Sequence, residues 1–264
     1  MLDASDRDVV QRQYTDPSRM KVRAALHARF STSPVGWFAW VWERLALRPG
    51  MRVLEVGCGD GSLWLGRGGA IPDGCRVVLT DLSAGMVREA RGQLSVSAAS
   101  YALADAQQLP FTEAQFDLVI ANHVLYHMPD RPRALAEIRR VLAPGGRLCA
   151  TTIGERHMGE LLGWLRQVAP GATVWRPQER DAFTLQSAPR ELAALFDHIT
   201  CHRFSDSLRV TEIEPLVDYA LSMDVDGTLA ARSAALEALF QREIEAQGAI
   251  QITKESGMLI AHVD

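Results

Sequence analysis

Val53-Leu54-Glu55-Val56-Gly57-Cys58-Gly59-Asp60-Gly61-Ser62 decides how the rest of the chain reads. It begins as an apolar, β-branched run, the mark of a buried strand, and ends in three glycines on alternate positions. Glycine lets a backbone turn sharply and approach a ligand with no side chain in the way. A helix opening at Ser62 would aim its free N–H groups at the bound molecule. The spacing is G-x-G-x-G. The dinucleotide fingerprint G-x-G-x-x-G needs its third glycine where Ser62 stands. Glu55, at the strand end, offers an acceptor to a cationic ligand.

Outward from this stretch, strands and helices alternate. Arg76–Thr80 reads as a strand ending at Asp81, and Ser83 caps a helix of Ala84–Leu94. Ser100–Ala104 is a weaker strand ending at Asp105. Phe116–Ala121 is a continuous apolar strand. Asp130 and Pro132 start a helix with Leu135, Ile138 and Leu142 at helical spacing, and Pro144-Gly145-Gly146 leads into a strand of Arg147–Ile153. A short helix from Ser62, ended by Gly68-Gly69, completes the pattern. Strands apolar on both faces, alternating with helices, mean a parallel sheet covered on both sides.

On the N-terminal side, residues 1–18 are polar and a helix runs from Ser18 to Arg29. Ser33-Pro34 reads as N-cap and first position of a helix carrying Trp37, Val41 and Leu45. After Gly154 the pattern changes to helices at 155–168, 189–197, 213–222 and 229–247. A strand of His198–Phe204 lies between them, and a last strand lies in Gly257–Val263. Insertions after the fifth strand lie above the strand carboxyl ends, where open α/β sheets bind ligands. The expected division is a helical lid at 1–48, a core at 49–153 and acceptor-site helices with closing strands at 154–264.

The 264 residues carry a net charge of -4 and a hydrophobic share of 47%. No general attraction to nucleic acid follows from that charge. The first residues lack the apolar stretch of a signal peptide, and no apolar run is long enough to span a bilayer. Cys58, Cys75, Cys149 and Cys201 are scattered, which fits reduced, buried thiols in a cytoplasmic protein. No H-E-x-x-H, paired cysteines or carboxylate cluster argues for a metal.

Glu55-x-Gly57-x-Gly59-x-Gly61, the acid Asp81, Asp105-Ala106 before Leu109-Pro110, and Phe116–Ile120 together resemble the class I S-adenosylmethionine-dependent methyltransferases. The resemblance runs to about residue 153. It implies a Rossmann-like seven-stranded, mostly parallel sheet, closed by an antiparallel edge strand at the C-terminus. It also implies S-adenosylmethionine as cofactor, with S-adenosylhomocysteine as product. Gly57, Cys58, Gly59 and Gly61 would then pass under the methionine and ribose, and Glu55 would support the loop and the amino group. Asp81 would accept from the ribose hydroxyls, Leu82 and Met86 would flank the adenine, and Asp105, Ala106 and Gln107 would address its edge.

Asn122-His123-Val124-Leu125 stands where methyltransferases of bases and amides carry [DNS]-P-P-[YFW]. It looks like the small-molecule type, with Asn122 and His123 near the methionine end. The expected acceptor is therefore a small, apolar or aromatic molecule. His123, His127 and His27 are the candidate bases, His127 also reading as a packing residue. A nicotinamide-dependent oxidoreductase and a non-catalytic binding module are the alternatives. Ser62 and the acid after the third strand count against the first. Turnover against an acceptor panel separates the second. Oligomeric state is not written in the sequence.

Overall fold

The computed structural model describes residues 18–94, 99–176 and 182–264. The expectations for residues 1–17 lie outside them. One seven-stranded sheet forms the centre, comprising β1 (Arg52–Val56), β2 (Arg76–Asp81), β3 (Ala99–Leu103), β4 (Phe116–Asn122), β5 (Leu142–Ile153), β6 (Ile199–Val210) and β7 (Ile250–His262). The spatial order is β3-β2-β1-β4-β5-β7-β6. The first five strands pair in parallel, and β7 is antiparallel to both β5 and β6. The seven-stranded, mostly parallel sheet expected from the sequence is present.

Alternate residues of each strand feed opposite faces, as the pleat requires. Leu54, Val56, Val119, Ala121, Leu148 and Ala150 pack with α4 (Arg131–Val141) through Leu135, Ile138 and Val141. Val53, Val77, Leu79, Leu118, Ile120 and Cys149 pack on the other face. There they meet α2 (Trp37–Leu45) through Trp40, Val41 and Leu45, and α3 (Ala84–Gln93) through Ala90. Two caps work as read: Ser83 accepts from Met86 N–H, and Asp130 accepts from Arg133 N–H.

A third apolar cluster lies off the sheet. It joins α1 (Ser18–Phe30), α5 (Gly159–Val168), α7 (Ile213–Ser222) and α8 (Ser233–Gln247) to Leu208, Val210, Ile250 and Ile252. The short α6 (Ala188–Leu192) belongs to the first cluster. β7 pairs with β5 only over Ser256–His262, but with β6 from Ile250 onward. The first half of β7 and the second half of β6 therefore overhang the carboxyl end of β5. The helices between them roof that end of the sheet.

Several expectations need correction. The last strand is antiparallel but not at the edge: β7 enters between β5 and β6, and β6 is the edge. β6 also runs six residues past Phe204, because residues 205–210 pair with residues 250–255 of β7 while Ser31 and Thr32 bond the other edge at Leu208 and Ser207. No helix opens at Ser62, and Gly68-Gly69, read as ending one, instead begin a 3₁₀ turn at Gly68–Ala70. Residues 62–66 form turns closed by i→i+3 bonds, since Gly61 and Gly66 adopt φ of 81° and 71° and break helical geometry. Ser33-Pro34 does not start α2; Gly36 is its N-cap, and Ser33 N–H bonds Asp206 instead. β5 begins at Leu142 rather than Arg147, across a register shift opposite Phe116 and Leu118. Cys201 is exposed on β6, whereas the other three cysteines are buried. No described helix is long and apolar enough to cross a membrane.

Candidate active site

The carboxyl ends of β1, β2 and β4 open into one cavity of about 1380 Å³. Single ligands occupy pockets of roughly 300–1,000 Å³, so this space exceeds what one small molecule fills. One half is built by the sheet and the other by the roof.

The sheet half holds most of the residues that the sequence singles out. Gly57, Cys58, Gly59, Asp81, Leu82, Met86, Asp105, Ala106, Gln107, Asn122 and His123 all line it. Gly57 has φ of 67°, and a Cβ there would lie 2.4 Å from Val124 Cγ2. The loop therefore passes under the cavity at a contact that tolerates no side chain. Gly59 N–H donates to Asp81 Oδ2 at 3.0 Å, and Ser83 N–H donates to Asp81 Oδ1 at 2.8 Å. These bonds fix the carboxylate at the cavity wall and leave each oxygen a second lone pair. Burial raises the Asp81 pKa, and the backbone bonds oppose the rise. Asp105 Oδ1 accepts from Gln107 N–H and Nε2–H, and Gln107 Oε1 accepts from Asp130 N–H. The Gln107 side chain thus ties this loop to the start of α4.

Glu55 and Gly61 are not on the cavity wall. Glu55 is buried behind the loop, where its Oε2 accepts from Trp64 Nε1–H at 2.5 Å. Burial pushes its carboxyl up to about 8, against the lowering effect of the Trp64 bond. Gly61 faces α3: a Cβ there would lie 2.6 Å from Leu94 Cδ1. Both residues support the loop from behind.

Asn122 Oδ1 accepts from Thr151 Oγ1–H, and the same hydroxyl oxygen accepts from His123 N–H. This holds His123 in the left-handed region at φ of 53°, a conformation unfavourable for a side chain and common at functional sites. The ring lies tilted against Trp37, with 5.0 Å between centroids. His127 lines the cavity as well, beside Tyr126 and Trp175. It lies in a 3₁₀ turn, stacked on Trp175 at 5.5 Å and edge-on to Tyr126 at 4.4 Å. It is thus packed between two rings and still on the cavity wall.

The roof half brings in residues that the sequence did not mark. His157 follows β5, Tyr219 is on α7, and Lys254 is on the β7 overhang. His27 on α1, itself a sequence candidate, meets them: its ring lies 5.9 Å from His157 and edge-on to Tyr219 at 5.6 Å. His27 Nδ1 is buried without a hydrogen-bond partner among the described residues. Burial and then Lys254 hold His123 down at about 4. Burial, His123 and Lys254 hold His157 at about 3, and burial with Lys254 leads the same effect on His27. All three imidazoles are neutral at pH 7. Lys254 is ion-paired with Asp206, which also accepts from Ser31 Oγ and the N–H groups of Thr32 and Ser33. One signal could have found this lysine: Lys21 and Lys254 are the only lysines in the chain.

Residues 54–150 match a family described as Methyltransferase domain. Methyltransferase GfsG of Streptomyces halstedii is 40% identical over 116 residues, which cover 43% of this chain and 41% of that protein. The ubiquinone/menaquinone biosynthesis C-methyltransferase UbiE of Bordetella parapertussis is 42% identical over 117 residues, covering 42% of this chain and 44% of its own length. The matched part is less than half the length of each of these relatives. Among solved structures, YcgJ from Bacillus subtilis shares the fold, with a TM-score of 0.60 at 17% identity over 86% of this chain and 97% of that one.

Proposed function

We propose, because residues 54–150 match the methyltransferase domain model, that the protein is a class I S-adenosylmethionine-dependent methyltransferase and moves a methyl group from S-adenosylmethionine to a small-molecule acceptor. The observation that carries this reading is the cradle at Gly57, closed to any side chain by Val124, facing the Asp81 carboxylate pinned by Gly59. Gly57, Cys58 and Gly59 pass under the methionine and ribose. Asp81 accepts from the ribose hydroxyls, Leu82 and Met86 flank the adenine, and Asp105 and Ala106 meet its edge. Asn122 and His123 border the methionine end. Glu55 acts from behind the loop through Trp64.

When bound, the cofactor supplies a methyl carbon already activated by its sulfonium. The protein's share is to align the acceptor in line with that carbon and to keep water out. The roof half gives the acceptor apolar and aromatic walls, among them Met158, Leu162, Trp175 and Met223. Residues 1–48 act as cover, 49–153 as cofactor core, and 154–264 as acceptor helices with the closing strands. A nicotinamide enzyme would set its pyrophosphate on the helix after the glycine loop, and turns stand there instead.

Asp81→Ala should weaken S-adenosylmethionine binding by about 1.5–3 kcal/mol, the scale of hydrogen bonds to a charged group. Calorimetric titration reads this directly, and wild-type affinity would remove Asp81 from the ribose site. The cover makes its own prediction. α1 is held to α7 by Arg23 on Ser222 and reaches α3 through Lys21 on Glu89, an exposed pair of small worth. S-adenosylhomocysteine should slow limited proteolysis within α1 and α2; unchanged cleavage would mean static packing.

A further inference from the structure

The carboxylates of the cavity stand on one side of it, where Arg67 and Arg88 also line the wall. Three carboxylates line it among the described residues, Asp60, Asp81 and Asp105, and all three belong to the sheet half. The roof half presents Lys254, His27 and His157 near His123 of the sheet half, with no carboxylate among the described lining residues of the roof. These groups reach one place from four elements. Burial first, and then the Lys254 charge among other causes, lowers the proton affinity of all three imidazoles.

Proton positions can be read in part. Glu255 N–H donates to His157 Nδ1 at 3.2 Å. Neutral His157 therefore carries its proton on Nε2 and is a donor on that side of the ring. His27 Nδ1 is a buried polar atom with nothing to bond among the described residues. A buried polar atom left so costs about 1–3 kcal/mol and calls for a water, an ion or a functional partner. Both lysines of the chain also line this cavity.

We propose that the methyl acceptor is an oxygen acid on an apolar body, bound as its anion with the charged oxygen at Lys254, His27 and His157. An ammonium acceptor would meet Lys254 with no carboxylate beside it except Asp206, which is already shared between Lys254 and the Ser31–Ser33 turn. An anion meets the Lys254 ammonium, held by Asp206, and imidazole donors in a site of low polarity, where such attraction is strong. The transfer then balances without a general base. A lone pair of the acceptor oxygen forms the new O–C bond while the C–S⁺ bond breaks. Its electron pair stays on sulfur, and an anion and a cation become two neutral products. Imidazoles with lowered proton affinity suit this role, since they donate a hydrogen bond and take no proton.

This inference rests on the methyltransferase reading, and its test separates the two. The full chain, loaded with S-adenosylhomocysteine, is titrated calorimetrically with naphthoate, naphthamide and naphthylmethylamine. Naphthoate is expected to bind at least about tenfold tighter than either of the others. Lysine labelled with ¹⁵N at the side-chain nitrogen gives two resonances, and that of Lys254 should move with naphthoate. His27→Phe, which has no ion pair to lose, should keep its affinity for S-adenosylhomocysteine and lose most of the preference. Lys254→Met should do the same, with its melting temperature measured because Asp206 loses its cation. The proposal is overturned if the amine or the amide binds as tightly as naphthoate, if none of the three binds, or if both variants keep the preference. Absence of S-adenosylhomocysteine binding would instead sink the methyltransferase reading. The preference for naphthoate is then still expected in the unloaded protein, because the basic cluster stands without the cofactor.

Discussion

Gly57→Ala is expected to weaken S-adenosylhomocysteine binding by at least about 100-fold, close to 3 kcal/mol. The methyl group would lie 2.4 Å from Val124 Cγ2 and 2.9 Å from Val124 Cβ. It would also sit on a residue held at φ of 67°, which disfavours any side chain. The loop can escape only by moving off Val124, and then Gly59 N–H no longer meets Asp81. Titration calorimetry reads the loss. Adding Val124→Ala should restore part of the affinity, because it removes the overlap and leaves the backbone strain. Wild-type affinity in Gly57→Ala would show that the loop takes no part in the site.

Glu55→Gln is expected to stabilise the protein at pH 8 relative to pH 5 by roughly 3–5 kcal/mol. The Glu55 carboxyl is raised to about 8 by burial, from an ordinary 4.5. Below pH 4.5 the group is protonated in both folded and unfolded chains and costs nothing. As pH rises toward 8 the unfolded chain releases this proton while the folded one keeps it, so folded stability falls. The gap of about 3.5 pH units corresponds to about 4–5 kcal/mol. Glutamine cannot ionise, and its amide oxygen can still accept from Trp64 Nε1–H. Urea unfolding of both proteins at pH 5 and pH 8 isolates the effect, since other titrations cancel in the difference. Parallel pH profiles would mean that Glu55 ionises freely in the folded chain.

The core between residues 49 and 153 was legible because its signals are local. Ser83 and Asp130 cap helices, apolar runs make strands, and Gly57 sits under a ligand-sized space. The turn at residues 62–66 was misread because Leu63, Trp64 and Leu65 look like the start of an apolar helix face. Trp64 instead turns inward to Glu55, and Gly66 stops any helix. The roof was the least legible. His157 and Lys254 lie almost a hundred positions apart, and only the pairing of β7 with β5 and β6 brings them to His27. Ser205, Asp206 and Ser207 hid the second half of β6, because these polar residues pair with β7, and Asp206 and Ser207 also bond a turn some 175 residues earlier. Such placements follow from topology, which no window along the chain contains.

The position of β7 also sets an order of assembly. It follows every other strand in sequence, yet it fills a gap between two of them. While a ribosome is still making the chain, β6 has no neighbour and β5 carries an open edge. Both are templates for wrong pairing until the thirteen residues of β7 arrive. The same insertion delivers Lys254 beside His27. Completing the sheet and charging the cavity are thus a single late event. A nascent chain that has already shaped its glycine loop still lacks the lysine of the opposite wall.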